Sequence, residues 1–476
     1  MPTPPASDER EALIKRQRAE IVRLREALTR VERERDRLKR RNEHLQDQLD
    51  AARRAGFRQA APFAKAHRQG RGRPPGRRAG ATYGRHGQRP VPPRVDETYA
   101  AALPAACPTC GGAVRGTHSR SQFQEDLPVV QPIIREFRVH VGTCVACGRR
   151  VQGRHVLQTS DALGAAAVHL GPEATALVVV LHKGLGLPLA HVVTLLRDRF
   201  GLRVTRGALV QICARVAARA TPTYHALCAQ VRGSPVVSPD ETGWKVGGTL
   251  HWLWAFATPD TTVYAIRPGR GYGEAAVILG DDFAGVLARD GWAPYRRFVH
   301  ADHQTCLAHL LRRCRLLQRD YPRSGVAARV QQRLQQALAL RDRHAAGAVS
   351  AHGLVSARGR LREQMLDLLV SARSTIPAVQ RFLAHLTREA AALFTFLGDP
   401  TIDATNWRAE QAIRPAVRLR KVCGGNRSAR GAQTQQVLTS VLRTAHLRGL
   451  DPTATLVTLL RTPTSTVPLG LQAPPQ

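Results

Sequence analysis

Apolar residues recur at heptad spacing through the charged stretch 10–50. With Ile14 at position a, the a-positions are Ile14, Ile21, Leu28, Arg35, Asn42 and Leu49, and the d-positions are Gln17, Leu24, Val31, Leu38 and Leu45. Ile or Leu at a with Leu or Val at d is the pattern of a two- or three-stranded coiled coil. A buried Asn at a favours a parallel dimer, because paired amides satisfy each other only in that register. High charge and the polar seam residues Gln17, Arg35 and Asn42 leave a single solvated helix as the plainer alternative. Periodicity then vanishes over 53–95, a Pro-, Gly- and Arg-rich segment that reads as a linker, disordered by itself.

Helical spacing returns further along. GPEATALVVVLHKGL, LPLAHVVTLLRDRF and TRGALVQICARVAARA read as three helices, the last two separated by the turn Gly201-Leu202-Arg203-Val204. That spacing is compatible with helix-turn-helix geometry, the third helix entering the major groove with Arg206 at its start. Three apolar helices also pack together with no DNA at all. From 234 the pattern shortens to PVVSPD, HWLWAFATP, TVYAIRP, the helix GEAAVIL, then FAGVLARD and RFVHAD, a β-β-β-α-β-β order. Ribonuclease-H-like domains begin in this way. Residues 307–397 are helical and rich in Arg and Gln, and they precede the helix of DATNWRAEQAIRP and one or two C-terminal helices.

The expected fold is multidomain α+β. Its parts are a coiled coil (10–50), a basic linker (53–95), a zinc-binding domain (96–155) and a helical DNA-binding region (165–230). A ribonuclease-H-like catalytic domain (234–425, helical insertion about 315–397), a C-terminal helical region (426–462) and a disordered tail (463–476) follow. At 476 residues there is room for two to four domains.

Charge narrows the partners. Lys and Arg number 71 against 36 Asp and Glu, for a net charge of +35. Such a field attracts polyanions and holds them by counterion release, so nucleic acid is the default partner, although a GC-rich genome also enriches Arg. No apolar stretch reaches the ~20 residues that span a bilayer, and the N-terminus lacks the apolar core of a secretory signal. Nine cysteines, four of them in two C-x-x-C pairs, suit a reducing, cytoplasmic setting.

Cys107-Pro-Thr-Cys110-Gly-Gly and Cys144-Val-Ala-Cys147-Gly-Arg each make a tight knuckle whose amides can point at sulfur. Together they supply four thiolates for one structural zinc, with strands expected in the intervening QEDLPVVQPIIREFRVHVGT as in a zinc ribbon. A closed four-thiolate site leaves no position for substrate. In the linker, Arg71-Gly72-Arg73-Pro74 copies the core of an AT-hook, whose arginines lie in a narrow minor groove.

Three acids carry the candidate chemistry. Asp240 and Asp290 each follow a short apolar run, and Glu410 lies on a helix with Asn406 and Arg414 at i−4 and i+4, a face that suits metal plus phosphate. Two strand-end acids and a helical one can converge on two divalent ions that position water or a sugar hydroxyl for attack on a phosphodiester. Singly, each has a plain reading as a turn or solvated residue. Asp302 competes for the middle place, since RFVHAD also reads as a strand ending in an acid. His300, His303, Cys306 and His309 could hold a transition metal, though soft ligands compete poorly for magnesium.

The order of zipper, RGRPPG linker, CPTCGG and CVACGRR knuckles, DETGWKV, DGWAPY, CLAHLLRRC, DATNWRAEQAIRP and GGNRSARGA resembles the insertion-sequence transposases of the IS-sixty-six group. The resemblance covers about residues 10–460. It implies a DDE catalytic domain in which Asp240, Asp290 and Glu410 hold two Mg2+ (or Mn2+). It also implies nicking at element ends and joining of the freed 3′-hydroxyls to target DNA. Cys306, His309, Arg312 and Arg313 match a family signature, and Leu307 stands where an aromatic is more usual. The implied partners are double-stranded DNA, a second copy through residues 10–50 and small accessory proteins, at the nucleoid. The rival readings are a catalytically inactive DNA-binding derivative and a nuclease that does not join.

Overall fold

The computed structural model describes residues 7–56, 90–116, 118–164 and 168–462. It divides into two units, Met1–Gly116 and Thr117–Gln476, each described by itself. Most of the linker, with Arg71 and Arg73, and the tail 463–476 lie outside the described residues.

The first unit contains α1 (Ser7–Gly56), one helix of 50 residues. The described seam residues Ile14, Ile21, Leu24, Leu28, Val31 and Leu38 are all exposed. The unit also holds the first cysteine knuckle, closed by hydrogen bonds from Cys107 N–H to Gly112 O and from Gly111 N–H to Cys107 O, each 2.9 Å. Gly111 has φ 71°, where a side chain would be strained.

In the second unit the other knuckle repeats this geometry, with Cys144 N–H on Arg149 O and Gly148 N–H on Cys144 O. It is the turn of a hairpin between β1 (Val141–Thr143) and β2 (Arg150–Gln152). The longer strands expected before it do not form. Residues 124–140 carry no strand, and Leu127, Val129 and Ile134 are each 90% exposed. An apolar run with nothing to bury against gains little from pairing.

The three expected helices form as α2 (Pro172–Val179), which runs into a π-turn at Val180–Gly184, α3 (Leu189–Phe200) and α4 (Arg206–Arg232). Left-handed Gly201 ends α3, and the Thr205 side chain caps α4 by accepting the Ala208 N–H. A mixed sheet follows: β3 (Val236–Val246), β4 (Thr249–Ala257), β5 (Thr262–Arg267), then α5 (Tyr272–Leu279), β6 (Val286–Arg289) and β7 (Asp302–Thr305). Its order is β5-β4-β3-β6-β7. The first three strands are antiparallel, while β6 and β7 run parallel to β3.

The β-β-β-α-β-β order matches expectation, with two corrections. β3 does not stop at Asp240 but continues to Val246, turning at Gly247 and Gly248, both with positive φ. RFVHAD is not a strand ending in Asp302. A 3-10 turn at Ala293–Arg297 leads in, and Asp302 begins β7 instead. Burial explains it, since Tyr295, Phe298 and Ala301 point inward at a spacing of three, a turn-like period rather than a strand's two.

Each sheet face has its own core. On one, α4 buries Leu209, Ile212, Val216, Ala220, Tyr224 and Leu227 in one cluster with Val237, Trp254, Phe256 and Leu287. The segment expected as a separate DNA-binding region thus packs as part of the sheet's own core, as do the C-terminal helices α11 (Ala429–Leu447) and α12 (Pro452–Arg461). On the other face lie α6 (Leu307–Asp320), α7 (Val326–Ala345), α8 (Ala351–Ser371) and α9 (Pro377–Glu389), against which Val236 and Val286 pack.

Edge strand β5 is closed by a helix. Its outward N–H groups at Thr262, Tyr264 and Ile266 donate to the side chains of Thr444, Ser440 and Gln436 on α11, at 3.1, 2.9 and 3.0 Å. The match is metrical, since two strand residues advance about 6.6 Å and four helical residues about 6 Å. Thr444→Val, which keeps the volume but strands a buried N–H, should cost about 1–3 kcal/mol in urea unfolding.

A buried ion cluster fastens the helical layer to the other edge. Glu389, at the end of α9, accepts from Arg289 (2.6 Å), Thr305 (2.6 Å) and Arg296 (2.8 Å). Burial by itself would raise the Glu389 carboxyl, but Arg289, Thr305 and Arg296 outweigh it and hold the group below 4.5. A lowered folded value means stabilisation that is present above the unfolded value and lost as pH falls through the folded one. Glu389→Gln should lower stability by about 3–5 kcal/mol at neutral pH, because it leaves Arg289 buried and unpaired. Its loss of stability in acid, measured by denaturant titration, should be shallower than wild type.

Candidate active site

Strand register brings the first two acids together. Val237 pairs with Leu287 on the parallel strands β3 and β6. Asp240 and Asp290 each lie three residues beyond that pair, where neighbouring strands run about 4.8 Å apart. Val236 and Val286 face the helical layer, so Asp240 and Asp290 continue that same face. The Asp240 carboxyl is held well above the usual range, by burial first and then by Glu241 and Asp290. Its Oδ1 accepts the Glu241 N–H at 2.8 Å. Asp290 Oδ1 accepts the Trp292 N–H at 2.9 Å across Gly291, whose φ of 92° suits glycine.

The third acid arrives on α10 (Trp407–Cys423), with Glu410 in its first turn. Asn406 occupies the N-cap position of this helix without a side-chain capping bond, and it holds the helix to the sheet instead. Its Nδ2 donates to Pro239 O at 2.8 Å, one residue before Asp240, and its N–H donates to Cys306 Sγ at 3.2 Å. Cys306 is buried, and its own N–H donates to Arg289 O at 2.7 Å, one residue before Asp290. Leu307 N–H completes the tie with Ala404 O at 3.0 Å. The starts of α6 and α10 are thereby bound to each other, to the middle of β3 and to the end of β6. His309, in the first turn of α6, has Nε2 3.8 Å from Glu410 Oε1. The adjacent Cys306, then Asp290 and Glu410, raise its imidazole to about 9 against the opposing effect of burial.

Among the described residues, no three His, Cys, Asp or Glu side chains are grouped tightly enough to hold a metal ion as they stand. The donor set nevertheless suits a hard cation. Asp240 is a buried acid beside Glu241 and Asp290, and the buried Asn406 Oδ1 has no hydrogen-bond partner. Hard carboxylate oxygens are the ligands magnesium and manganese take.

Other expected residues fall elsewhere. Asp302 lies beside Val286, at the opposite end of the parallel strands from Asp290. Asn406, expected to meet DNA, is 1% exposed and acts within the fold. Arg206, Arg312 and Arg414 are exposed, whereas Arg313 packs over the Phe382 ring at 5.0 Å. His303 bonds Arg289 Nε at 3.1 Å and is lowered to about 4, chiefly by burial. At the knuckles, the Thr109 and Cys110 amides lower the Cys107 thiol, and those of Cys147 and Ala146 lower Cys144.

A second acidic position went unread in the sequence. Glu241 is buried and accepts from Arg270 Nε at 2.6 Å and the Tyr295 hydroxyl at 2.5 Å. Its place directly after Asp240 was the available signal. Tyr295 and Arg270 come from distant segments that no local pattern connects to it.

Residues 167–434 match the sequence profile of the transposase IS66 family. The chain belongs to the IS66 transposase family. Among curated proteins it is 27% identical over 389 residues to uncharacterized protein y4jD of Sinorhizobium fredii, covering 75% of this chain and 74% of that one. It is also 27% identical over 235 residues to uncharacterized protein y4qI of the same organism, over 43% and 42% of the two chains. The family match spans the whole sheet, the helical layer and α10, and so includes every residue of the candidate site. No helix among the described residues is long and apolar enough to cross a membrane.

The His309 environment makes a checkable statement about this family site. In metal-free protein its imidazole should titrate near 9 by NMR, and Cys306→Ala should lower that titration more than Glu410→Gln does, because Cys306 is the larger cause.

Proposed function

We propose that this IS66-family protein is a DDE transposase whose catalytic domain is ribonuclease-H-like and whose acidic triad is Asp240, Asp290 and Glu410. The observation that carries the reading is the junction of four chain segments, in which Asn406 and Cys306 tie the Glu410 helix to the strands bearing the two aspartates. The sheet order, three antiparallel strands followed by two parallel ones, supports the same fold reading.

Asp240, Asp290 and Glu410 would hold two divalent ions, magnesium or manganese, which supply Lewis-acid activation of the attacking oxygen and neutralise charge on the phosphate. The residues around them do the positioning. Asn406 keeps Glu410 over β3, and Trp292 N–H fixes the Asp290 carboxylate. Protonated His309 sits beside Glu410 with charge suited to a phosphate oxygen. Water attacks the phosphodiester at an element end and frees a 3′-hydroxyl. That hydroxyl then attacks a target phosphodiester, one P–O bond forming as another breaks, so no external energy source is needed.

The remaining modules serve assembly. The exposed seam of α1 is the surface through which a second copy would pair, bringing two element ends together. Arg206 and Arg414, with Arg71 and Arg73 of the linker, are proposed DNA contacts for element ends and target. The cysteine knuckles, whose amides point at sulfur, are proposed to serve a structural zinc. Small accessory proteins and a nucleoid location complete the reading.

The test is nicking and strand transfer on element-end DNA with Mg2+. Asp240→Asn and Glu410→Gln should each lower both activities at least about 100-fold while retaining DNA binding. Unchanged rates in both variants defeat the triad. Binding without cleavage by the wild type favours a non-catalytic DNA-binding protein, and cleavage without joining a simple nuclease.

A further inference from the structure

Trp292 is an exposed aromatic held unusually firmly. It stands two residues after Asp290, and its N–H donates to that carboxylate at 2.9 Å. The indole Nε1 donates to Arg270 O at 3.3 Å, and the Arg270 guanidinium lies over the indole ring at 4.0 Å. Arg270 cannot easily move away. The guanidinium also lies over the Trp252 ring at 4.7 Å, and its Nε is paired with buried Glu241 at 2.6 Å. Backbone, ring nitrogen and one ring face of Trp292 are thus all engaged, yet 36% of the residue remains exposed.

A lone exposed aromatic is ordinary on a protein surface; what sets Trp292 apart on this +35 protein is that its backbone, indole N–H and ring are all held. Its rigid support removes the usual entropic cost of ordering a side chain on binding. A guanidinium behind the ring also favours stacking of an electron-rich partner on the other face. Every nucleobase offers a π-face, and exposed aromatics beside a positive groove are the standard means of holding unpaired bases.

We propose that Trp292 is a stacking platform for an unpaired nucleobase next to the scissile phosphate, so that the site takes a locally opened DNA end rather than an intact duplex. This rests on the reading of Asp240, Asp290 and Glu410 as the reaction centre. The Glu241–Arg270 pair serves as the support of the platform, which gives a role to the acid directly after Asp240.

The test uses full-length protein in Ca2+, which permits binding without turnover. The probes are a duplex with a short unpaired 3′ overhang containing 2-aminopurine, and the same duplex closed at both ends by hairpins. Wild-type protein should prefer the overhang and quench the 2-aminopurine. Trp292→Leu keeps apolar bulk but removes the π-face, and it should weaken overhang binding about tenfold more than closed-duplex binding, the scale of one stacked base. Trp292→Phe should retain most of the preference and the quenching, and circular dichroism should show all variants folded. Equal loss on both probes, or quenching that persists in Trp292→Leu, overturns the proposal. Metal-dependent nicking by the wild type, assayed separately, keeps the two readings apart. Nicking without overhang preference sinks only the platform, whereas overhang preference without nicking sinks only the reaction centre.

Discussion

Two aspartates on neighbouring parallel strands, aimed at one face, repel each other, and the rest of the site is arranged around that repulsion. Burial intensifies it by removing the water that would screen it. Asp240 holds its proton more tightly than an ordinary carboxyl, because of its burial first and of Glu241 and Asp290 after it. The neighbourhood supplies a partner on nearly every side. His309 is charged against the acids, Trp292 N–H faces Asp290, and Arg270 with Tyr295 neutralises Glu241. Of these groups only His309 and the Glu241 N–H act to lower the Asp240 carboxyl, and burial with the neighbouring acids outweighs them.

Holding such a centre together requires rigid attachments on both faces. On the helical side, Glu389 joins α9 to Arg289 and Thr305, so the ends of β6 and β7 cannot splay. On the other, α11 supplies three side-chain acceptors to β5, and the Tyr264 hydroxyl reaches Ala412 O in α10 at 2.6 Å. The helical insertion and the C-terminal helices are therefore fastened to the strands that carry the site. The same logic assigns Cys306 and Asn406 to the frame. Both are buried, and both spend their hydrogen bonds on the segments that carry Asp240, Asp290 and Glu410.

The CLAHLLRRC stretch takes on a physical meaning in this setting. Cys306 receives an N–H from the cap of α10, and His309 projects to Glu410 from one turn further along. Arg313 is absorbed by Phe382, while Arg312 stays outside. A stretch that reads from spacing alone as a possible transition-metal site is instead a joint between two helix starts.

Local pattern by itself determined the heptads of α1, the two cysteine knuckles, the succession of strands and helices from 172 to 461, and the positions of the three acids. Each of these depends on residues close in sequence, through periodicity, glycine turns or a few fixed spacings. Only the tertiary structure decided that β3 runs on past Asp240, that the turn before β7 replaces a strand, and that α4 belongs to the sheet's core. Those outcomes depend on which distant surface is available for burial. The same holds for Asn406, Glu241 and Glu389, whose partners lie 167, 29 and 100 residues away. An amide or carboxylate in a sequence carries no mark of what it will face, and its role appears only when the chain has brought its partner to it.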